Sequence, residues 1–190
     1  MFRVDLETGS ASPLFLGISP AAFCLSADGR TLYFAGGESR RDVKARDLQS
    51  EAERSVHTVK DVTGVTQLKM SRDGRLAVMN RFGIDVVDLA AGTVRLLAAR
   101  PAGGRFSGGD WAPDGQWFFA TVSYGDVDAR AELWRIPADG GAPVKHPLTA
   151  ATTGGWLRPD GREYSMLRTE RRQQVWTIEN FLPPMTTGVQ

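Results

Sequence analysis

Ala112-Pro113-Asp114-Gly115-Gln116-Trp117-Phe118-Phe119-Ala120 reads as a tight turn followed by a strand that is apolar on both faces. The same turn recurs at Ala27-Asp28-Gly29, Arg72-Asp73-Gly74 and Pro159-Asp160-Gly161, always between two short apolar runs. The steps between the aspartates are 45 (28 to 73), 41 (73 to 114) and 46 (114 to 160). Asp-Gly tolerates the positive φ of a hairpin turn, and the Asp carboxylate can accept hydrogen bonds from nearby backbone amides. Apolar residues follow each aspartate at the same offsets: Leu32 and Phe34, Ala77 and Met79, Phe118 and Ala120, Tyr164 and Met166. The residues between them are often apolar as well, as at Tyr33, Val78, Trp117 and Phe119. Such a strand has to be covered on both faces.

A second recurrence keeps phase with the first. It runs through Phe2-Arg3-Val4-Asp5-Leu6, Ala45-Arg46-Asp47-Leu48, Ile84-Asp85-Val86-Val87-Asp88-Leu89, Leu133-Trp134-Arg135-Ile136-Pro137 and Val175-Trp176-Thr177-Ile178-Glu179. Thr8-Gly9, Ala91-Gly92 and Asp139-Gly140-Gly141 then mark turns into weaker runs such as 93–98 and 144–148. A repeat of roughly 40 to 45 residues built this way describes β-propeller blades. The expected fold is all-β, with four-stranded antiparallel blades. About four of them form an open or incomplete ring, one domain or partial propeller over 1–190 anchored at Asp28, Asp73, Asp114 and Asp160.

These motifs resemble the TolB-type, WD-like propeller repeat: Ser-Pro-Asp-Gly, a two-faced apolar strand, then an apolar strand ending in Asp before a Gly-containing turn. The resemblance runs from Phe2 to about Phe181. In this chain Ala27 and Arg72 replace the proline, Ala112 and Arg158 replace the serine, and the third strand at 43–48 is polar. Five third strands against four first-and-second-strand hairpins do not close a ring. The resemblance therefore implies the C-terminal part of a larger bacterial protein, with missing sequence before Met1. The tail at 175–184 resembles the end of TolB-like propellers attached to serine/threonine kinases and winged-helix regulators. An arc left alone would present strand edges and an apolar blade face, so self-association is expected.

The 190 residues carry 42% hydrophobic and 24% charged side chains and a net charge of +1, which gives no global attraction to nucleic acid or acidic membranes. One cysteine, Cys24, excludes an internal disulfide framework and any multi-cysteine metal cluster, and its apolar run makes it a structural thiol. The acidic start Met1 to Glu7 does not read as a secretory signal, and no run reaches the roughly 18 apolar residues of a membrane span. As written, the chain is expected in the cytoplasm. As part of a longer TolB-like protein it would belong in the periplasm.

Catalysis finds little support. His57 and His146 lie in no serine, cysteine or metal-ligand motif, and no Gly-x-Ser-x-Gly elbow or phosphate-cradling glycine loop occurs. No cofactor or metal is implied. The acidic loop 124–132 holds Asp126, Asp128 and Glu132, but its spacing does not match a calcium loop. Topology supplies the best surface feature. Loops from second to third strands share one face of a propeller, and here they carry Arg40, Arg41, Arg81, Arg130, Arg171 and Arg172. Loops from a fourth strand to the next first strand add Arg100 and Arg105. This basic rim is the candidate site for an acidic peptide or partner loop, because Arg makes bidentate contacts with carboxylates. The chain is thus read as a non-catalytic TolB-like module for protein interaction or sensing. The rival reading is the propeller part of a split or truncated prolyl-oligopeptidase-like enzyme.

Overall fold

A computed structural model describes residues 1–14, 20–36, 39–60, 63–125, 131–148, 152–158 and 162–168. Every regular element among them is a strand. A leading pair, β1 (Phe2–Val4) and β2 (Ala11–Pro13), precedes three four-stranded antiparallel sheets. The first sheet holds β3 (Pro20–Leu25), β4 (Thr31–Gly36), β5 (Ser39–Asp47) and β6 (Glu53–Thr58). The second holds β7 (Val65–Met70), β8 (Arg75–Asn80), β9 (Gly83–Asp88) and β10 (Thr93–Ala99). The third holds β11 (Gly104–Trp111), β12 (Trp117–Tyr124), β13 (Ala131–Pro137) and β14 (Val144–Leu148). A trailing pair, β15 (Thr152–Leu157) and β16 (Tyr164–Arg168), follows.

Within each sheet the strands pair in chain order, so each sheet is a meander. Two turns build it. At the first, Asp28 Oδ1 accepts from Ser26 Oγ at 2.6 Å and from the Arg30 amide at 3.1 Å, while Asp114 Oδ1 accepts from the Gln116 amide at 2.9 Å. The following glycines, Gly29, Gly74 and Gly115, hold φ of 70°, 85° and 68°, which L side chains resist. The other turn, between third and fourth strands, is capped by the aspartate that ends the third strand. Asp5, Asp47 and Asp88 each accept two backbone amides with Oδ1, at 2.7 to 3.0 Å.

The second Asp-Gly turn departs from the equal offsets. Ser26 N donates to Thr31 O and Ala112 N to Trp117 O, but Ser71 N donates to Arg75 O, one residue sooner. The register follows: Leu25 opposes Leu32 and Trp111 opposes Phe118, yet Met70 opposes Leu76. The structural counterparts of Leu32 and Phe34 are therefore Leu76 and Val78, not Ala77 and Met79. A turn one residue shorter moves every following side chain to the other face.

The cores lie between sheets. Ala22, Tyr33 and Ala35 of the first sheet pack with Leu68, Leu76 and Val78 of the second. Ala77, Met79 and Val86 of the second pack with Trp111, Phe118 and Ala120 of the third. The inner strands β3, β7, β11 and β15 stand side by side in that order. Polar contacts reinforce the fan: Trp111 Nε1 donates to Lys69 O at 3.1 Å, Gly109 N to Gln67 Oε1 at 3.0 Å, and Lys69 pairs with Asp110 at 3.3 Å. Tyr164 of the trailing pair reaches Thr121 Oγ1 at 3.2 Å and sets its ring 6.2 Å from that of Phe119.

Sheets packed face to face in a fan, each a four-stranded meander with its first strand innermost, form a β-propeller arc without a closed ring. Its two ends differ. The leading pair stands where third and fourth strands of a preceding blade would, and Met1 and Leu14 cover Leu32 and Phe34. Beside them, on the inner part of the same face, Phe23 and Leu25 remain 56% and 49% exposed.

Candidate functional site

A cleft of about 470 Å³ opens between the second and third blades, lined by Thr63, Thr66, Asn80, Arg81, Arg100, Arg105, Phe106 and Ser123 among others. Its architecture follows from the two hairpins that bound it. Asn80 Oδ1 accepts from the amides of Phe82 at 2.8 Å and Gly83 at 3.0 Å, which fixes the short β8–β9 turn and sets Arg81 at its tip. Arg100 follows β10. Its amide donates to Phe82 O and its Nε to Gly104 O at 2.8 Å, so it ties the β8–β9 turn to the start of β11. Arg105 is the second residue of β11 and is exposed. Arg81 and Arg105 both hold contacts of their own. The floor carries the hydroxyls of Thr66 and Ser123, which donate to Met79 O at 3.2 Å and to Ser107 Oγ at 3.2 Å.

Two other concavities differ in kind. The opposite face, where the Asp-Gly turns emerge, carries a cleft of about 670 Å³ with Asp73, Asp88, Asp114 and Asp139. Its cations hold the blades together. Arg75 donates to Asp73 Oδ2 at 2.6 Å and Gly115 O at 2.5 Å, and Arg95 donates to Ala138 O. The Arg75 guanidinium keeps the Asp73 carboxyl below the usual range. On the outer side, His57 Nε2 lies 3.4 Å from Asp85 Oδ2 in a groove of about 400 Å³ that also contains Phe82, Val94 and Leu96.

The propeller arc has relatives among solved structures. TolB from Acinetobacter baumannii superposes with a TM-score of 0.70 at 15% identity, over 88% of this chain and 42% of that one. The Cps50 (Swd1) β-propeller domain of Myceliophteria thermophila superposes with a TM-score of 0.62 at 18% identity, over 87% of this chain and 55% of that one. The fold is that of a TolB-like, WD-like β-propeller. The chain spans about half the length of each of these propeller structures. No protein-family model matches the sequence, and no curated protein sequence does either.

Within this propeller the rim arginines named from sequence separate into groups. Arg81 shares the cleft with Arg100 and Arg105. Arg40 and Arg41 begin the long β5 strand one blade earlier, with Arg41 Nε donating to Val59 O at 3.2 Å. The Arg40 backbone presses on the corner before β7, where Gly64 has φ of 77°. A Cβ there would lie 2.5 Å from Arg40 Cβ. Arg130, Arg171 and Arg172 lie outside the described residues, as do Asp126, Asp128, Asp160 and the third strand at 175–179.

Glu132 corrects the loop reading. It sits inside β13, buried, and Oε2 accepts from Tyr124 Oη and Trp134 Nε1 at 2.8 Å each. It takes part in a core hydrogen-bond network with these two partners. Cys24 is half-buried on β3, and desolvation pushes its thiol up to about 12 against the pull of Lys69, so it stays protonated at neutral pH. Such a thiol is a poor nucleophile. Trp111 and Trp134 are buried between blades. Among the described residues no group of three or more His, Cys, Asp or Glu is arranged to hold a metal, and no helix is long and apolar enough to cross a membrane.

Proposed function

We propose that this propeller module is non-catalytic and serves protein–protein interaction or sensing, with the arginine cleft between the second and third blades receiving a carboxylate-bearing segment of a partner. The observation that carries this is the convergence of Arg81, Arg100 and Arg105 with Thr66 and Ser123 on one rim cleft of about 470 Å³. Guanidinium groups from two blades favour a planar, bidentate acceptor, and charge-assisted hydrogen bonds of this kind contribute about 1.5–3 kcal/mol each. Phe106 adds an apolar wall for the stem of such a side chain. Nucleic acid is the poorer fit, because no aromatic-basic recognition motif accompanies the arginines. The reading of the chain as the C-terminal portion of a larger bacterial protein leaves this cleft unchanged, since the second and third blades form it by themselves.

Titration with a short fluorescein-labelled oligoglutamate peptide tests the proposal by fluorescence anisotropy. Binding should weaken as salt rises and drop about tenfold or more in the variant carrying Arg81→Ala and Arg105→Ala. Arg171→Ala with Arg172→Ala probes the remainder of the rim. Affinity unchanged in the Arg81, Arg105 variant would remove the cleft from consideration.

A further inference from the structure

Val94 and Leu96 alternate along β10 on the face that the second blade turns to the first, Val94 opposite Val87 and Leu96 opposite Asp85. Deep between these two blades, Ala22, Tyr33 and Ala35 pack with Leu68, Leu76 and Val78. Toward the outer strands β6 and β10 that packing gives way to the groove of about 400 Å³, with Phe82, Val94 and Leu96 exposed along it. The blades on both sides of this groove are present. The leading end is different, since Phe23 and Leu25 have only the β1–β2 pair beside them.

Asn80 borders both this groove and the arginine cleft, and the β8–β9 turn that it fixes puts Arg81 in the cleft and Phe82 in the groove. The two concavities are therefore neighbours across the rim edge of the second blade. A sheet with its side chains is about 10 Å thick, which three or four extended residues cross at roughly 3.3 Å each. The charge of the groove matches that of the cleft. Among its described lining residues Asp85 is the one carboxylate, and His57 Nε2 lies 3.4 Å from it. Arg95 is turned to Ala138 O of the third blade, which leaves Lys60, exposed just beyond the rim end of β6, as the cation facing solvent. Acidic residues are thus favoured along the whole path, and basic ones are opposed. Building on the carboxylate-binding reading of the cleft, we infer that the partner segment is both acidic and apolar. It sets a carboxylate among Arg81, Arg100 and Arg105 and, three or four residues away, an aliphatic side chain among Phe82, Val94 and Leu96.

Fluorescence anisotropy with three labelled peptides tests this. The first is an oligoglutamate, the second adds two leucines after a three-residue glycine–serine spacer, and the third is the second with serines in place of its glutamates. The leucines should tighten binding about tenfold, as burial of an aliphatic side chain does. Val94→Thr with Leu96→Thr should erase that gain and leave oligoglutamate affinity unchanged. Both positions are exposed, threonine suits a strand, and near-UV circular dichroism matching the parent shows that the variant is folded. Arg81→Ala with Arg105→Ala should weaken both glutamate peptides. No gain from the leucines, or a gain that survives in the β10 variant, overturns the inference and leaves the carboxylate reading standing. The serine peptide binding as tightly as its glutamate counterpart overturns it too, because the groove would then take an apolar segment without the cleft. If neither glutamate peptide binds, the carboxylate reading falls and the inference falls with it.

Discussion

Trp111 and Leu25 occupy the same place in the repeat, last on an inner strand and paired with Phe118 and Leu32, yet Trp111 is 6% exposed and Leu25 49%. One strand position earlier on that face, Leu68 is 2% exposed and Phe23 56%. The backbone pairing is the same, and Ala22-Phe23-Cys24-Leu25 is the more apolar run beside Gly108-Gly109-Asp110-Trp111. What differs is the neighbour: Trp111 has the second blade against it, with Lys69 O accepting its indole hydrogen, while Phe23 and Leu25 have only the outer half of a blade beside them. Burial in this fold is therefore a property of adjacent repeats, and stability sums over interfaces more than over blades.

The largest test of that contrast is truncation on the two sides of it. Trp111→Ala should cost about 3–5 kcal/mol, as for large aromatic side chains removed from cores, whereas Phe23→Ala should cost under about 1 kcal/mol. Urea unfolding followed by circular dichroism measures both. Equal losses would mean that Phe23 is covered within one chain.

Gly109 sharpens the comparison, because it is the counterpart of Phe23 opposite Ala120. A Cβ at Gly109 would lie 2.5 Å from the Phe118 ring and 2.6 Å from Phe119 O. Gly109→Ala should destabilise by about 1–3 kcal/mol through overpacking. The same unfolding assay would show a change of a few tenths if the Phe118 ring can move aside.

A smaller effect, of opposite sign, belongs to the turns. Asp5 to Gly9 and Asp88 to Gly92 close with glycine at φ of 70° and 66°, but Asp47 to Glu51 closes with Glu51 at 63°. Glu51→Gly should raise stability by about 0.5–1 kcal/mol, net of the exposed pair with Arg46. A lower melting temperature would show that the pair outweighs the backbone cost.

The smallest effect is on Cys24. Its folded thiol is raised to about 12, above the roughly 8.5 of an unfolded cysteine. The thiol's contribution to stability is therefore complete below about pH 8.5 and declines as pH rises toward 12. At pH 8 an aromatic disulfide reagent should label Cys24 slowly in the native chain and quickly in urea. Equal rates would contradict its desolvation.

Much of this was legible in the residues. Asp28, Asp73 and Asp114 mark one hairpin and Asp5, Asp47 and Asp88 the other, because carboxylate capping and positive-φ glycine leave local signatures. The incomplete leading blade followed from β1 reading as a third strand. The single-residue shortening at Ser71 to Arg75 was hidden, since Leu76, Ala77, Val78 and Met79 are all apolar and either alternation looks sound. Glu51 at a glycine position has no local mark. Glu132 read as part of an acidic loop because its partners, Tyr124 and Trp134, are fixed by pairing and packing rather than composition. Basic loops sharing a rim could be read from topology, but the meeting of Arg81 with Arg100 and Arg105 depends on how two blades pack.

The openness of the arc within one chain is tested most directly by energy transfer between labels at Ser12 on β2 and Ser165 on β16. The labels would be placed on cysteines in a Cys24→Ser background, with excess unlabelled chain to dilute transfer between copies. An open arc keeps the two end pairs apart and gives weak transfer. A chain that closed on itself would bring β16 beside β1 at the roughly 4.8 Å spacing of paired strands, and near-complete transfer would contradict the account.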